Sequence, residues 1–344
     1  MTASAVLVRR GALAELAARL PAGRRRLLVT DSHVEPLLPP PLTALPRHVL
    51  PPGEEHKSWM RLGEALAALD SAGVDRDGEL LAVGGGVVTD LGGLAAALHR
   101  RGIEWRAAPT TLVGQVDAAL GGKTAVNLAG GKNAVGRFHM PAEVLIDPGL
   151  LATLPERHLR NGLAEVLKTA VVAGEALLDA VAVLRPEDFR DARPPAVEAI
   201  RRCVETKLAL VGEDPFDRGP RRLLNLGHTF GHAFEALAMP RLLHGEAVGL
   251  GLLCAARLAA GRPGAAAGLE ARLRTLLSGW GLPVAWEHEP GAVLEAMRRD
   301  KKRRASGAVF VLPLAPGRVE VASGLPDEAV AAALQAVSDP GSGS

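Results

Sequence analysis

The chain has 344 residues, 48% apolar and 23% charged, with a formal net charge of +2. This composition is typical of a globular protein of two domains, and the small charge argues against nucleic acid as the main partner. Cys203 and Cys254 are too few and too far apart for a disulfide framework or a Cys-x-x-Cys metal site. No apolar run approaches the roughly 18 residues that cross a membrane, and we expect no signal peptide. These features predict a cytoplasmic enzyme.

Residues 1–155 alternate helical patterns with short apolar runs, as in a mostly parallel α/β sheet. Helices are predicted at 13–20 and from about 58 to 69, and strands at 26–31 and 79–83. Asp31 closes the first of these strands, where a doubly wound sheet presents ligand-binding groups. We therefore predict a Rossmann-like nucleotide-binding domain over residues 1–155.

A glycine-rich turn follows the strand at 79–83. Its sequence is Gly-Gly-Gly-Val-Val-Thr-Asp, residues 84–90, and an Ala/Leu-rich helix comes next. Strand, glycine turn and helix suit a pyrophosphate, because backbone amides approach closely and the helix N-terminus is electropositive. The usual Gly-x-Gly-x-x-Gly fingerprint is broken by Thr89, so this single motif has low specificity.

Two Gly-Gly-Lys sequences, ending in Lys123 and Lys132, add flexible backbone and point charges that suit a phosphate group. Thr110 and Thr111 contribute hydroxyl groups after the next predicted strand. A Walker A loop is excluded, because it requires glycine where Asp117 stands. These segments favour a phosphorylated ligand, although turn glycines followed by solvated lysines are the alternative.

The second half is predicted to be a mainly helical domain over residues 156–344, with the boundary near Pro155. A helix ending near residue 298, a hairpin of 309–312 with 318–321 and a C-terminal helix follow the main helical segments. Those segments are 156–172, 174–184, 194–212, 221–236, 245–261 and 266–279.

Three histidines within seventeen positions form a candidate metal site: His228, His232 and His244. His228 and His232 are four residues apart and share a predicted helical face with residues 221 and 225. Core or capping histidines are the alternative for such a pair. Glu165 and Lys168, three apart on an otherwise apolar helix, require a neutralising partner, which a metal ion with an anionic substrate would provide.

The sequence resembles the dehydroquinate synthase family of sugar phosphate cyclases from about Asp31 to Asp327. The densest similarity lies in ordered motifs, which together are highly specific. They are Gly-Gly-Gly-Val-Val-Thr-Asp (84–90), Pro-Thr-Thr-Leu (109–112), Gln-Val-Asp-Ala-Ala-Leu-Gly-Gly-Lys-Thr (115–124), Gly-Lys-Asn (131–133), Thr-Leu-Pro-Glu-Arg (153–157), Gly-Leu-Ala-Glu-Val-Leu-Lys (162–168), Asn-Leu-Gly-His-Thr-Phe-Gly-His (225–232), His-Gly-Glu-Ala-Val (244–248) and Asp-Lys-Lys (300–302).

The resemblance implies a role for each matching residue. Zinc or cobalt would be held by Glu165, His228 and His244, with His232 facing the substrate. The implied NAD⁺ contacts are Asp31, Glu54, Lys57, Gly85, Gly86, Val87, Asp90, Thr110, Thr111, Lys123, Lys132 and Thr153. The implied substrate contacts are Lys123, Asn133, Lys301 and Arg101 for phosphate, Arg221 and Lys207 for carboxylate, and Asp117, Lys168 and Asn225 for hydroxyl groups, with Arg101 supplied by the partner subunit of a homodimer.

The implied activity converts 3-deoxy-arabino-heptulosonate 7-phosphate into 3-dehydroquinate and phosphate in the shikimate pathway of aromatic amino acid biosynthesis. Aminodehydroquinate synthase remains an alternative, because its substrate differs by one substituent. Inosose and valiolone synthases act on substrates without a carboxylate and are expected to lose the Arg221/Asn225 combination. A polyol dehydrogenase of the glycerol dehydrogenase type would not need the phosphate and carboxylate contacts. Thr89, Pro215 and Thr169 depart from the family pattern, and Thr89 lies in the nucleotide turn.

Overall fold

The computed structural model describes residues 4–129, 131–238, 241–302 and 308–338, without the side chains of residues 17 and 299–302. The described residues divide into two compact units. Unit 1 comprises Met1–Pro155 and Glu187–Val204, and unit 2 comprises Glu156–Pro186 and Glu205–Ser344.

Unit 1 is built on a six-stranded parallel sheet with the order β1-β8-β5-β4-β2-β3. Its strands are β1 (Ala5–Val8), β2 (Arg26–Asp31), β3 (Arg47–Leu50), β4 (Glu79–Gly84), β5 (Glu104–Pro109) and β8 (Glu143–Ile146). The helices between them are α1 (Ala12–Arg19), α2 (Pro40–Thr43), α3 (Trp59–Ser71) and α4 (Gly86–Leu98). The predicted Rossmann-like α/β fold is confirmed.

The sheet is apolar on both sides because helices cover both of its faces, as a parallel sheet requires. Alternate side chains on β4 face opposite ways. Leu81 and Val83 belong to the core cluster that includes Leu13 and Leu16 of α1. Leu80 and Ala82, which are also fully buried, lie beneath Gly92 of α4.

A chain of buried ion pairs crosses the amino-terminal edge of the sheet. Glu79 is fully buried and binds Arg26 on β2 and Arg106 on β5, the latter at 3.0 Å. Arg106 also contacts Glu143 on β8 at 2.5 Å. Glu79 lies between guanidinium groups of the two adjacent strands, and Glu143 lies between Arg106 and Arg19 of the first helix. Charge is therefore balanced where it is shielded from water.

An antiparallel hairpin of β6 (Lys123–Leu128) and β7 (Gly131–Phe138) follows the sheet strand β5. It contains the lysines of both Gly-Gly-Lys sequences: Lys123 begins β6, and Lys132 is an exposed residue of β7. The sequence analysis predicted no strands here, since the glycines and polar residues hide the strand pattern.

Unit 2 is mainly helical, as predicted. It also contains an antiparallel hairpin of β9 (Val309–Ala315) and β10 (Arg318–Ser323). The chain passes between the units through α7 and α8. The helices after β8 are α5 (Glu156–Ala173), α6 (Glu175–Ala182), α7 (Pro186–Arg190), α8 (Pro194–Glu213), α9 (His228–Ala238), α10 (His244–Ala259), α11 (Leu269–Gly279), α12 (Pro290–Lys302) and α13 (Asp327–Gln335).

The predicted continuous helix over 221–236 is wrong. Pro220–Asn225 forms a 3₁₀ helix, and α9 begins only at His228. Gly227 separates the two with φ +79°, a left-handed conformation that glycine adopts readily. Residues 221 and 225 therefore do not share one helical stripe with His228 and His232.

Glu79→Ala is expected to lower the free energy of unfolding by about 3–5 kcal/mol, because it removes the carboxylate that two largely buried guanidinium groups, those of Arg26 and Arg106, share. The measurement is urea-induced unfolding followed by circular dichroism. Glu104→Ala is the matched control. Glu104 pairs with Arg24 at 3.1 Å and Arg106 at 3.3 Å, but its side chain is 37% exposed, so its loss should cost about 0–1 kcal/mol. Equal effects of the two substitutions would contradict the account.

Candidate functional site

One face of α5 carries a polar stripe through otherwise apolar packing. Arg157, Asn161, Glu165 and Lys168 recur at intervals of four, four and three residues, so they lie on the same side of the helix. Glu165 and Lys168 are both buried, and their carboxylate and ammonium groups are 2.5 Å apart. A buried carboxylate is costly unless cations surround it, which the sequence predicted for this pair.

Two histidines from other helices reach the same carboxylate. His244, the first residue of α10, places Nε2 3.1 Å from Glu165 Oε1. His228, the first residue of α9, places its Nε2 3.7 Å from that oxygen. One nitrogen or oxygen atom from each of the three side chains lies within 4.8 Å of the other two. The structure thus brings together the three predicted metal ligands, which are far apart in the sequence.

The far nitrogen of each ring is fixed by an acceptor. His228 Nδ1 lies 3.2 Å from the carbonyl oxygen of Leu226, so Nδ1 carries the proton and donates it. His244 Nδ1 lies 3.5 Å from Oε2 of Glu235. With Nδ1 protonated, the Nε2 lone pair of each ring is available to a metal ion beside Glu165.

The carboxylates around His244 stabilise a positive charge at this position. Burial lowers the pKa of His228 to about 3, which keeps that ring neutral. Burial also lowers the pKa of His244, but hydrogen bonds to Glu165 and Glu235 outweigh it and raise this pKa to about 10. Two carboxylates therefore hold a cation between them, and a divalent metal ion can supply that charge.

The donor set fits a catalytic metal site. One carboxylate oxygen and two imidazole nitrogens suit zinc and leave coordination positions open. His232, the remaining candidate, is exposed, and its ring centroid lies 5.4 Å from that of His228 and 6.3 Å from that of His244. It therefore borders the three-residue cluster, and the role that the resemblance implies for it, facing the substrate, stays a prediction.

The first turn of α10, which carries His244, is held by the polar stripe of α5. Asn161 Oδ1 accepts a 2.6 Å hydrogen bond from the amide of Gly245. A Cβ atom at Gly245 would lie 1.9 Å from the carbonyl oxygen of Asn161, so only glycine permits this approach. Arg157 forms a bidentate pair with Glu246 at 2.7 and 2.8 Å, and Glu246 in turn accepts from the amide of Leu243. Sequence analysis assigned no role to Arg157 or Asn161, although their spacing from Glu165 was visible.

The predicted carboxylate-binding residue Arg221 is buried in unit 2. Asp214 accepts hydrogen bonds from the amides of Arg218, Gly219 and Arg221, which lower the pKa of Asp214 and fix the loop. The Arg221 guanidinium donates to the carbonyl oxygen of Pro215 at 2.8 Å. Lys207, the second predicted carboxylate ligand, is also buried, and Asn225 ends the 3₁₀ helix that contains Arg221. Two buried cations in one unit are the kind of group that an anionic substrate requires.

In unit 1 the predicted nucleotide contacts lie at the carboxyl ends of adjacent parallel strands. Asp31 ends β2, where its carboxylate accepts from the amides of His33 and Val34. Gly85 caps α4 directly after β4 and has no side chain, which leaves the first-turn amides of Gly86 and Val87 able to bind an anion. Thr110 and Thr111 follow β5. The strand order thus brings these segments to one edge of the sheet.

A second group of predicted residues is joined by one polar network. Lys57 is buried, contacts Asp90 and donates to the amide oxygen of Asn133 at 2.6 Å. Asn127, which sequence analysis missed, donates from its side chain to the Glu54 carboxylate at 2.9 Å. Its side-chain oxygen accepts from the backbone N–H of Asn133 at 2.8 Å. Because phosphate oxygens accept hydrogen bonds, a phosphate would be bound by the NH₂ group of Asn133, while its side-chain oxygen accepts from Lys57.

The remaining predicted residues lie at separate places, three in unit 1 and one in unit 2. Asp117 is in the π-helical turn Gly114–Ala118, and Thr153 is exposed and donates to the carbonyl oxygen of Leu150. Arg101 follows Arg100, and both have positive φ, at 71° and 50°. Consecutive non-glycine residues in this conformation are strained, a feature that clusters at functional sites. Lys301 is in α12, and its side chain lies outside the described residues.

Comparisons with known proteins identify the family. The family model of the 3-dehydroquinate synthase N-terminal domain matches residues 47–161, and that of the C-terminal domain matches residues 162–303. A solved structure of 2-epi-5-epi-valiolone synthase from Streptomyces hygroscopicus subsp. jinggangensis 5008, with NAD⁺ and Zn²⁺ bound, is 34% identical with a TM-score of 0.87, covering 98% of this chain and 97% of that one. The chain therefore belongs to the dehydroquinate synthase family of sugar phosphate cyclases.

More distant structures share the fold. A 2-deoxy-scyllo-inosose synthase complexed with carbaglucose-6-phosphate, NAD⁺ and Co²⁺ is 22% identical with a TM-score of 0.82, over 96% of this chain and 95% of that one. A probable glycerol dehydrogenase from Sinorhizobium meliloti 1021 is 20% identical with a TM-score of 0.67, over 97% of this chain and 96% of that one.

Among the described helices, none combines the length and apolar composition that crossing a membrane requires.

His244→Ala is expected to reduce the bound metal from about one ion per chain to a small fraction of that, because a three-ligand site loses one ligand. Metal content is measured by mass spectrometry after dialysis against a trace of Zn²⁺. His33→Ala is the control, since His33 is exposed on unit 1. A full complement of metal in folded His244→Ala would contradict the ligand assignment.

Proposed function

We propose that the chain is a 3-dehydroquinate synthase, which converts 3-deoxy-arabino-heptulosonate 7-phosphate into 3-dehydroquinate and phosphate. The observation that carries the proposal is the buried cation Arg221, which Asp214 holds in place in the unit that contains the Glu165, His228 and His244 cluster. A buried, preorganised guanidinium suits a substrate carboxylate, which distinguishes this substrate from other heptulose phosphates. Aminodehydroquinate synthase activity remains an alternative, because its substrate keeps that carboxylate.

The proposal assigns NAD⁺ binding to residues 1–155 and metal and substrate binding to residues 156–344. Relatives with bound NAD⁺ and Zn²⁺ or Co²⁺ support both cofactors. The overall reaction comprises oxidation of a substrate hydroxyl group, loss of phosphate, re-reduction, ring opening and intramolecular aldol closure. When bound, NAD⁺ accepts and returns the hydride, and the metal ion polarises the substrate oxygen.

This chain's own residues would bind and orient the substrate through all of these steps. Arg221 and Lys207 hold the carboxylate, while Lys168, Asn225 and Asp117 bind hydroxyl groups. Lys168 is buried beside Glu165, so it presents a fixed positive charge near the metal ligands. His232 borders the same cluster, where it can exchange protons with the substrate. Phosphate would contact Lys123, Lys301, Arg101 and the NH₂ group of Asn133, with Arg101 reaching the site from the other subunit of a homodimer.

A second candidate is a cyclase for a heptulose phosphate that lacks the carboxylate. The 34% identity to a 2-epi-5-epi-valiolone synthase favours it. Arg221 argues against it, since a substrate without the carboxylate would make no use of this buried guanidinium. The two candidates therefore differ in one measurable property, the dependence of turnover on the substrate carboxylate.

Incubation of the protein with NAD⁺, Zn²⁺ and 3-deoxy-arabino-heptulosonate 7-phosphate is expected to release phosphate without net NADH, because the hydride returns to the same molecule. Phosphate is measured colorimetrically, NADH by absorbance and the product by mass spectrometry. The heptulose phosphate with a hydroxymethyl group in place of the carboxylate is run in parallel. Faster turnover of that compound would establish the second candidate, and steady NADH production would indicate a dehydrogenase.

Arg221→Ala is expected to raise KM for the carboxylated substrate at least ~30-fold, since removing one partner of a buried charge pair costs about 2–5 kcal/mol. Arg221→Lys should recover part of the loss, because it keeps the charge but not the bidentate geometry. Arg222→Ala is the control, as the neighbouring Arg222 is exposed. KM is measured by steady-state kinetics on variants whose circular dichroism spectra match that of the wild-type protein. An unchanged KM in Arg221→Ala would reject the proposed role of Arg221.

A further inference from the structure

A second buried carboxylate, that of Glu235, lies behind the metal-ligand cluster. Glu235 is on α9, seven residues after His228, so both side chains lie on the same helical face. Its side chain is 6% exposed, and Oε2 is 3.5 Å from Nδ1 of His244. The sequence analysis gave Glu235 no role, and the family resemblance assigned it none.

The His244 ring lies between two carboxylates. Nε2 is 3.1 Å from Oε1 of Glu165, and Nδ1 is 3.5 Å from Oε2 of Glu235. These nitrogens are on different edges of the ring, so only one carboxylate can share a metal ion with it. His228 Nε2 also approaches Glu165, at 3.7 Å, which places the metal on the Glu165 side. Glu235 therefore contacts the edge of His244 that faces away from the metal.

We propose that Glu235 is a positioning residue of the metal centre, which holds His244 with Nδ1 protonated and Nε2 directed at the metal. The inference rests on the metal site of the proposed function but not on the identity of the substrate. A carboxylate acceptor fixes the ring's orientation and increases its basicity as a ligand. His228 Nδ1 contacts the peptide carbonyl of Leu226 instead of a carboxylate, so the two histidine ligands are supported differently.

Charge balance gives Glu235 a second effect. With neutral imidazoles, a divalent ion at Glu165 would have one ligand charge opposing its two positive charges. Glu235 supplies a further negative charge behind His244, at a buried position where water screens it little. Both effects strengthen metal binding, and neither requires Glu235 to contact the metal or the substrate.

The test measures metal affinity in the absence of substrate. Metal-free wild-type protein, Glu235→Ala and Glu235→Gln are titrated with Zn²⁺ against a chromophoric chelator and with Co²⁺ by visible absorption. Glu235→Ala is expected to weaken Zn²⁺ binding about 10–100-fold and to alter the Co²⁺ spectrum. Glu235→Gln should recover part of the affinity, because its amide oxygen can accept from Nδ1 without the charge. Glu205→Gln, an exposed acid on α8, is the control for loss of one charge.

Wild-type affinity and an unchanged Co²⁺ spectrum in folded Glu235→Ala would overturn the proposal. If Glu235→Ala does not fold, the proposal is tested on the wild-type protein by nuclear magnetic resonance. The cadmium-substituted form with isotopically labelled histidines should show coupling between the metal and Nε2 of His244. Coupling to Nδ1 would place the metal on the Glu235 side and overturn the proposal. A wild-type protein without tight metal binding would remove both this role and the proposed function. Tight, Glu235-dependent binding without turnover of a heptulose phosphate would remove the latter alone.

Discussion

The burial of the Glu165 carboxylate is the constraint on which the candidate site depends. A fully buried anion on α5 must be surrounded by positive charge or hydrogen-bond donors. Lys168 supplies one cation from the same helix, and the first residues of α9 and α10 direct imidazole nitrogens at the other oxygen. The close approach of α10 to α5 at Gly245, and the Asn161 and Arg157 contacts to its first turn, follow from the need to bring His244 to this point.

Much of the fold could be predicted from the sequence, because its apolar runs and turn residues have strong local periodicity. β2, β4 and most helices of unit 2 follow the predicted segments closely, whereas α4 begins at Gly86, within the segment 84–90 that was predicted as a turn. The short edge strands β1 and β3 and the β6/β7 hairpin were missed, since few of their residues are apolar and buried. The break at Gly227 was missed because a glycine within a helical pattern can remain helical, and only the packing of the chain decides its φ.

The site was harder to predict than the fold, and the reason is physical. Spacing alone favoured a His228/His232 pair, whereas the ligand set Glu165, His228 and His244 is assembled by contacts among three helices. Asn161 and Asn127 form hydrogen bonds with Gly245 and Glu54, residues far away in the sequence, and Glu235 contacts His244 on the next helix. No local sequence pattern records such contacts. The family motifs supplied the roles that spacing could not, and those for substrate and nucleotide contacts stay predictions.

The most direct test of the account is the position of the bound metal. Crystals of the Zn²⁺-loaded protein, measured at the zinc absorption edge, should show one strong anomalous peak. We expect it at about 2.0–2.2 Å from an oxygen of Glu165 and from Nε2 of both His228 and His244. A peak bound by His232 in place of His244, or located away from Glu165, would contradict the account.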